Sequence, residues 1–429
     1  MNLAAVVMVM ATIFLWGAVS ARLQRADLTA PIVFTAVGAL LTGLDLVDIP
    51  SAPQRLTPLV EVTLVWVLFS DAARVRVHDL RDDIGRYVRL LAVGLPMTIL
   101  AGWALAIWLF PGFDIWLGLL VAAALAPTDA ALGVPVVTNP VVPSSVRRLL
   151  TVESGVNDGI VTPVVTLAIA GVASAEGLSG APGVVEAFAE LAIGAAVGLA
   201  VGFGGGWLLR WSRRRQWAAE DFIGLAVLAL ALVAYGSALL LHGNGFIAAF
   251  CGGLAFGAAA GRRGASEVVF LEQSSGLVSL LVWLAFGAIA VPLVLKSVDA
   301  ITILYAVLSL TIVRMVPVAL ATIGAGLDRY TVLFVGWFGP RGLASLLFAL
   351  LALEELGSSA DQAVSVIAVT VFLSVLAHGG SATPLAKRYG EAAGVRAPEA
   401  DGGVQDLPVR GLPRRVVAEQ APRSDHPRR

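Results

Sequence analysis

Blocks of apolar residues separated by short polar stretches run along this chain from its start to about residue 388. A helix needs about 20 consecutive apolar residues to cross a bilayer. Window hydropathy places about thirteen such blocks. They lie near residues 2–20, 30–49, 57–73, 86–110, 115–138, 147–173, 183–209, 221–241, 244–261, 277–295, 300–324, 331–352 and 362–384. The pattern predicts an all-α polytopic membrane protein whose transmembrane domain occupies residues 1–388. Composition agrees: 58% of the 429 residues are hydrophobic, only 14% are charged, and mean hydropathy is +0.86.

Basic residues orient the spans. Arg22 and Arg25, then Arg74, Arg76, Arg81, Arg86 and Arg89, then Arg147 and Arg148 fall at alternate loops. So do Arg210, Arg213, Arg214, Arg215, Arg262, Arg263, Arg329, Lys387 and Arg388, whereas the opposite loops hold only Arg55 and Lys296. The positive-inside rule then puts the N-terminus outside and the C-terminus in the cytoplasm. Met1-Asn2-Leu3 carries no basic n-region, so the first span is expected to be retained. The abundance of Ala, Gly, Val and Arg is that of a GC-rich bacterial genome, which points to a bacterial cytoplasmic (inner) membrane. Residues 389–429 change character: Pro398, Pro408, Pro413, Pro422 and Pro427 alternate with charged residues and glycine. A tail without a recurring apolar face is expected to be disordered. A net charge of −1 excludes a polybasic nucleic-acid binder, and the single Cys251 excludes an internal disulfide.

The candidate chemistry lies in Glu153-Ser154-Gly155-Val156-Asn157-Asp158, near the start of the sixth block. A charge at membrane depth costs about 2.5–3.5 kcal/mol on insertion scales and is by default functional. Ser154 and Asp158 share one helical face and Glu153 and Asn157 another, with Glu153 and Asp158 roughly 140° apart. Asp158 is thus free to face a cavity, while Glu153 needs its own partner. Arg314, an isolated base inside the eleventh block, is the candidate. The fifth block is interrupted at Ala126-Pro127-Thr128-Asp129 and the twelfth at Phe338-Gly339-Pro340-Arg341-Gly342. Pro127 has no N–H, so the Ala123 carbonyl is expected to lose its helical donor. Irregular backbone at membrane depth is tolerated where it lines a cavity or is buried in protein. Breaks at matching positions of two halves point to a transporter site built on inverted repeats. Arg341 has two readings, a counter-charge for the crossing helix ends or an ordinary interfacial arginine.

Small monovalent cations want oxygen ligands. Asp158, Asp129, Ser154, Thr128 and Asn157 can supply them, with Asp158 and Asp129 as the charged pair. Desolvation and a second nearby acid both raise a carboxyl pKa, which brings proton binding toward neutral pH. One carboxylate then holds a proton or a cation in competition, and that competition is sufficient for exchange.

These residues resemble the monovalent cation/proton antiporters of the CPA-1 group, the NhaP-type sodium/proton exchangers. The resemblance rests on Thr128-Asp129, the Glu153–Asp158 run, Arg314 and Gly339-Pro340-Arg341-Gly342. It implies a thirteen-helix fold with interleaved core and dimerisation subdomains, the fifth and twelfth helices unwound where they cross. It implies that Asp158 is the shared cation and proton site, assisted by Asp129, and that Glu153 pairs with Arg314. It implies electroneutral exchange of Na⁺ foremost, or K⁺ or Li⁺, for H⁺ by an elevator movement in a homodimer. Ala130, where many relatives have proline, departs from the pattern and leaves the unwinding to Pro127.

Other classes fit less well. An intramembrane aspartyl hydrolase built on Asp129 and Asp158 should carry a Gly-x-Gly-Asp-like run, and none occurs. An organic-anion carrier should present bases to its cavity, and a channel would pass current without proton coupling. No nucleotide-binding glycine loop follows a strand, so ATP-driven transport and a resident cofactor are not expected. His242, His378 and His426 share no spacing and make no metal site, and Asp71 is read as the balance for Arg74.

Overall fold

A computed structural model of the chain describes residues 3–25, 28–44, 57–75, 83–129, 132–177, 184–261 and 267–392. Ala130 and residues 393–429 lie outside the described residues. Every regular element among the described residues is helical. The order is α1 Leu3–Arg25, α2 Ala30–Gly43, α3 Thr57–Arg74, α4 Ile84–Leu109, α5 Ile115–Ala124 and α6 Ser144–Ala175. There follow α7 Val184–Arg214, α8 Glu220–Leu240, α9 Gly245–Ala260, α10 Val269–Ser297 and α11 Ala300–Ala321. The chain closes with α12 Arg329–Trp337, α13 Leu343–Leu356 and α14 Asp361–Ala392. A single helical turn at Val134–Val137 lies between α5 and α6.

Eight helical stretches among the described residues are long and apolar enough to cross a membrane. This is a multi-pass membrane protein, although length and composition alone do not reach the thirteen crossings expected. Local features set which helices qualify. The fifth and twelfth blocks are not continuous helices, because Pro127 and Pro340 stand in them. α2 and α9 have 14 and 16 residues. α3 carries Glu61, Asp71 and Arg74 within its 18 residues. α13 and α14, joined by the turn Gly357–Ala360, form one stretch of 50 residues. At 1.5 Å per residue that is more than twice a hydrocarbon core of about 30 Å.

The last helix passes residue 388 and runs to Ala392, into the stretch expected to be tail. Tyr389 holds it: its ring stacks on Phe334 at 4.1 Å between centroids, and its hydroxyl meets Thr331 at 2.7 Å.

Helix starts follow ordinary capping chemistry. Asp114 accepts from the Leu117 N–H at 2.6 Å and Asn244 from Ile247 at 3.0 Å. Asp299 accepts from Thr302 at 2.7 Å, and Asp328 from Tyr330 at 2.8 Å and Thr331 at 3.0 Å. These hydrogen bonds favour the ionised form, those of the Thr302 and Thr331 side chains first, and hold both carboxyls below the usual aspartate range.

Small residues bring helices together where lipid offers no hydrophobic drive. Gly194, Gly198 and Gly202 of α7 lie directly on the backbone of Asn244, which caps α9, and of Ala248 and Gly252 within it, where a Cβ would overlap carbonyl oxygens. Gly253 and Gly257 of α9 meet α3 in the same way, and Gly38 of α2 meets α10. One set of helices, α2, α3 and α7–α10, therefore packs closely, beside a second set, α4–α6 and α11–α14. Helix ends placed on one side by strict alternation do touch. Arg213 donates to the Ala260 carbonyl at 3.1 Å, Arg86 to Ala325 at 3.2 Å, and Arg148 lies 3.8 Å from Asp83. At the opposite ends the Asn244 N–H donates to the Glu190 carbonyl at 2.8 Å, and Ser359 meets Glu176. Arg74 also pairs with Glu272 of α10, a partner far away in sequence.

Candidate ion-binding site

The site begins where α5 stops. Leu125 still donates to the Val121 carbonyl at 3.1 Å, but Pro127 has nothing to donate and the chain extends through Thr128 to Asp129. The Ala123 carbonyl, expected to lose its donor, is taken by Ala126 N–H at 3.1 Å in a tighter turn. The carbonyls of Ala126 and Pro127 lie beyond the last helical turn and need partners from outside α5.

α12 stops in a related way. Phe338 N–H closes the last turn on Phe334, Gly339 N–H bonds back to the Trp337 carbonyl at 2.8 Å, and Pro340 ends the donor series. Residues Phe338–Gly342 are non-helical, and α13 starts at Leu343.

The two non-helical segments meet and complete each other. Asp129 N–H donates to the Pro340 carbonyl at 2.7 Å, and the Asp129 carboxylate accepts from Leu343 N–H, at the start of α13, at 2.9 Å. In return Arg341 donates through Nη1 to the carbonyls of Ala126 and Pro127, the latter at 3.3 Å. An acid thus sits at a helix N-terminus and a base at a helix C-terminus, each against the pole that favours it. Arg341 is 0% exposed, so its place is inside the protein and not at an interface. Gly342 makes the approach feasible, since a Cβ there would overlap the Asp129 carboxylate.

α6 lies against this junction with Glu153, Ser154, Asn157 and Asp158 all buried. Glu153 meets Arg314 of α11 at 2.6 Å, both nearly inaccessible. A side chain at Gly339 would crowd Arg314, so the second break also makes room for this pair. Thr128 links the first break to α6: Asn157 Nδ2 donates to its hydroxyl at 2.8 Å, and that hydroxyl meets Ser154 Oγ at 2.8 Å. The buried Asn157 Oδ1 has no hydrogen-bond partner among the described residues. Asp158 is 8% exposed, and its carbonyl takes the Thr162 hydroxyl at 2.8 Å. Gly155, one turn earlier, lies against Asp71 of α3. Oxygen groups of the kind an alkali cation takes thus meet where Thr128 joins Ser154 and Asn157, and Asp158 stands one helical turn beyond Ser154 on α6. Among the described residues no cluster of His, Cys, Asp and Glu has the form of a metal-binding group.

One feature of the junction escaped sequence reading. His378 of α14 is buried, and its Nε2 reaches the Trp337 carbonyl at 2.9 Å, the last of α12. Its Nδ1 meets Ser374 Oγ at 3.1 Å, and Ser374 Oγ accepts from Arg341 N–H at 2.7 Å. Nδ1 also lies 3.0 Å from the Ser374 carbonyl, so a neutral imidazole protonated at Nε2 serves the Trp337 carbonyl and the Ser374 hydroxyl but not that carbonyl. The available signal was Ser374 and His378 four residues apart, one helical turn, in an otherwise apolar span.

The chain is similar to known membrane proteins. The family described as sodium/hydrogen exchanger, transmembrane, matches residues 8–388. A K(+)/H(+) antiporter NhaP2 of Shewanella sp. (strain MR-4) is 27% identical over 377 residues, 85% of this chain and 63% of its own length. The chain therefore spans less than two thirds of that relative. A K(+)/H(+) antiporter NhaP of Alkalimonas amylolytica is 26% identical over 423 residues, 96% of this chain and 71% of its own. The sodium proton antiporter MjNhaP1 of Methanocaldococcus jannaschii, solved at pH 8, superposes with a TM-score of 0.72 over 90% of this chain and 98% of its own, at 20% identity. That likeness shows a shared fold. On the family match, which spans nearly all of the described helices, this chain belongs to the transmembrane sodium/hydrogen exchanger family.

Proposed function

We propose that this protein is a secondary antiporter exchanging an alkali cation for H⁺ at Asp158. The observation that carries the reading is the buried Asp158 carboxylate on α6, beside two helix breaks that complete each other's backbone bonding. Charge supports it. Glu153, Asp129 and Asp158 gather at the junction with Arg314 and Arg341, three carboxylates to two guanidiniums. One proton or one monovalent cation neutralises the set, so a single-charge occupant in either direction fits electroneutral exchange. A desolvated anionic site resists crossing while empty, which ties each passage to an occupant.

Thr128, Ser154 and Asn157 supply neutral oxygens to the cation, and Asp129 assists through its carboxylate. Glu153 and Arg314 hold α6 to α11 as a structural pair. Pro127, Gly339, Pro340 and Arg341 make the crossing. The chain crosses thirteen times as two inverted repeats, with the N-terminus outside and the C-terminus cytoplasmic in a bacterial inner membrane. The α4–α6 and α11–α14 set moves as an elevator against the α2, α3 and α7–α10 set, in a homodimer. Na⁺ and K⁺ are both candidate cargoes, as relatives are named for each. The test is dissipation of a pH gradient in everted vesicles on adding Na⁺, K⁺ or Li⁺. Wild type collapses the gradient, and Asp158→Asn leaves it intact. Full exchange by Asp158→Asn removes the assignment.

A further inference from the structure

The basic end of α7 carries a cage of aromatic and guanidinium groups that the transport site does not use. Trp207 and Trp211, four residues apart, are near parallel at 6.4 Å and 17°. Past the last helical turn, Gln216 adopts a left-handed φ of 57°. The chain turns back there, with Trp217 N–H bonded to the Ser212 carbonyl at 3.0 Å. Trp217 thereby packs edge-on against Trp211 at 4.8 Å and 83°. The Arg215 guanidinium lies over both rings, 5.1 Å from Trp211 and 6.0 Å from Trp217. Burial does not explain the cluster: Trp207 and Trp217 are 55% and 67% exposed.

Its charges are available. Arg213 is committed to Glu267 and the Ala260 carbonyl. Arg210, Arg214 and Arg215 are exposed, and none lies within ion-pair distance of an acid among the described residues. Glu220 and Asp221, the nearest acids in sequence, stand in the first turn of α8, against that helix's positive pole.

We propose that this cage binds the phosphodiester headgroup of an anionic phospholipid. Tryptophan at a helix end partitions to the bilayer interface, where its apolar ring and polar N–H are both accommodated. Guanidinium groups pair with phosphate through parallel N–H bonds. A guanidinium already held over two rings loses less freedom on forming that pair. Three exposed charges of one sign within the last turns of one helix and the residue after it select an anionic over a zwitterionic lipid. The inference rests on membrane embedding, not on the antiport reading.

The test uses the full chain in detergent, with retained lipid counted by native mass spectrometry and protection read by thermal unfolding. Phosphatidylglycerol is expected to be retained and to stabilise the protein, and phosphatidylcholine not. Arg215→Gln and Arg214→Gln, both at exposed positions, are each expected to weaken phosphatidylglycerol retention roughly five-fold, the effect of one basic residue near an anionic surface. Trp211→Leu weakens it by removing the platform for Arg215. Arg22→Gln, an exposed base on the same side but outside the cage, leaves it unchanged. Equal retention by wild type and Arg215→Gln overturns the proposal. So does an equal loss in Arg22→Gln, which reports a diffuse field. Equal protection by soluble glycerol phosphate does so too, as does a shift in monomer–dimer balance without change in bound lipid, which assigns the cage to a second copy of the chain.

Discussion

Separating Glu153 from Arg314 tests whether this pair holds the fold or takes part in transport. The two side chains meet at 2.6 Å and are 3% and 2% exposed, so neither finds water when the other is removed. Removing one partner of such a pair costs about 3–5 kcal/mol, whereas replacing both with apolar groups of similar volume is often neutral. Glu153→Leu should cost more than Arg314→Met, because Arg314 Nε and Nη2 already lack partners and the guanidinium would keep none. A loss of 1 kcal/mol shifts Tm by roughly 2–4 °C in chains of 150–250 residues and by less in longer ones. Each single variant should therefore melt about 5–10 °C below wild type. The double variant should melt within a few degrees of wild type, which gives a coupling of about 3 kcal/mol or more. Tryptophan fluorescence during thermal unfolding in detergent reads all four corners of the cycle. Additive losses would refute a mutually dependent pair. A stable double variant that has lost exchange would refute a purely structural role.

Gly342→Ala places a methyl group on the Asp129 carboxylate; it should cut exchange at least ten-fold in vesicles, and unchanged exchange would mean that the two breaks separate during turnover. His378→Gln keeps a donor for the Trp337 carbonyl and His378→Leu does not. The Trp337 carbonyl keeps Gly339 N–H in either variant, so the leucine variant should lose about 0.5–1.5 kcal/mol, the worth of one hydrogen bond, and glutamine should restore much of it; equal losses would dismiss the hydrogen bond. Asp328→Ala removes the cap of α12 and should lower stability by about 0.5–1 kcal/mol, the low end for an exposed cap. The Thr331 hydrogen bonds depress the Asp328 pKa, so this contribution is complete above the ordinary aspartate range and is lost as pH falls through the lowered value. The gap in Tm between wild type and Asp328→Ala should close in acid, and a gap that stays constant down to about pH 3 would contradict the linkage.

What was legible in the sequence was chiefly what helical period and burial cost impose. An isolated acid and an isolated base in apolar spans must meet something, and Glu153 and Arg314 meet each other. Proline marks where helical donors stop, and Pro127 and Pro340 both stand where the helices end. Partners set by three-dimensional approach were not legible. Nothing in the spacing says that Asp129 reaches Leu343, or that Ala126 rescues the Ala123 carbonyl by a tighter turn. Nor does it say that Arg74 pairs with Glu272, 198 residues away, which follows from α3 packing against α10. The spacing of His378 to the other histidines gives no metal-type pattern and so does not point to its role. A buried histidine in an apolar span needs hydrogen-bond partners, and a carbonyl at a helix break, which can take a second donor beside Gly339 N–H, is one of the few such groups at that depth.

The two breaks are better treated as one unit than as two defects. Each leaves backbone groups that neither helix can satisfy, and in a bilayer water is not the alternative partner. The Ala126 and Pro127 carbonyls use Arg341 from the other break, and Leu343 N–H uses Asp129 from the first. His378 and Ser374 of α14 fasten the same junction at Trp337 and Arg341. Pulling the breaks apart would expose a guanidinium, a carboxylate and several backbone groups to an apolar medium at once, so the junction is expected to move as a piece. Under the proposed exchange, what changes from one half-cycle to the next is then the occupant of Asp158, a proton or an alkali ion. The fixed charges around it serve to make the absence of both unfavourable.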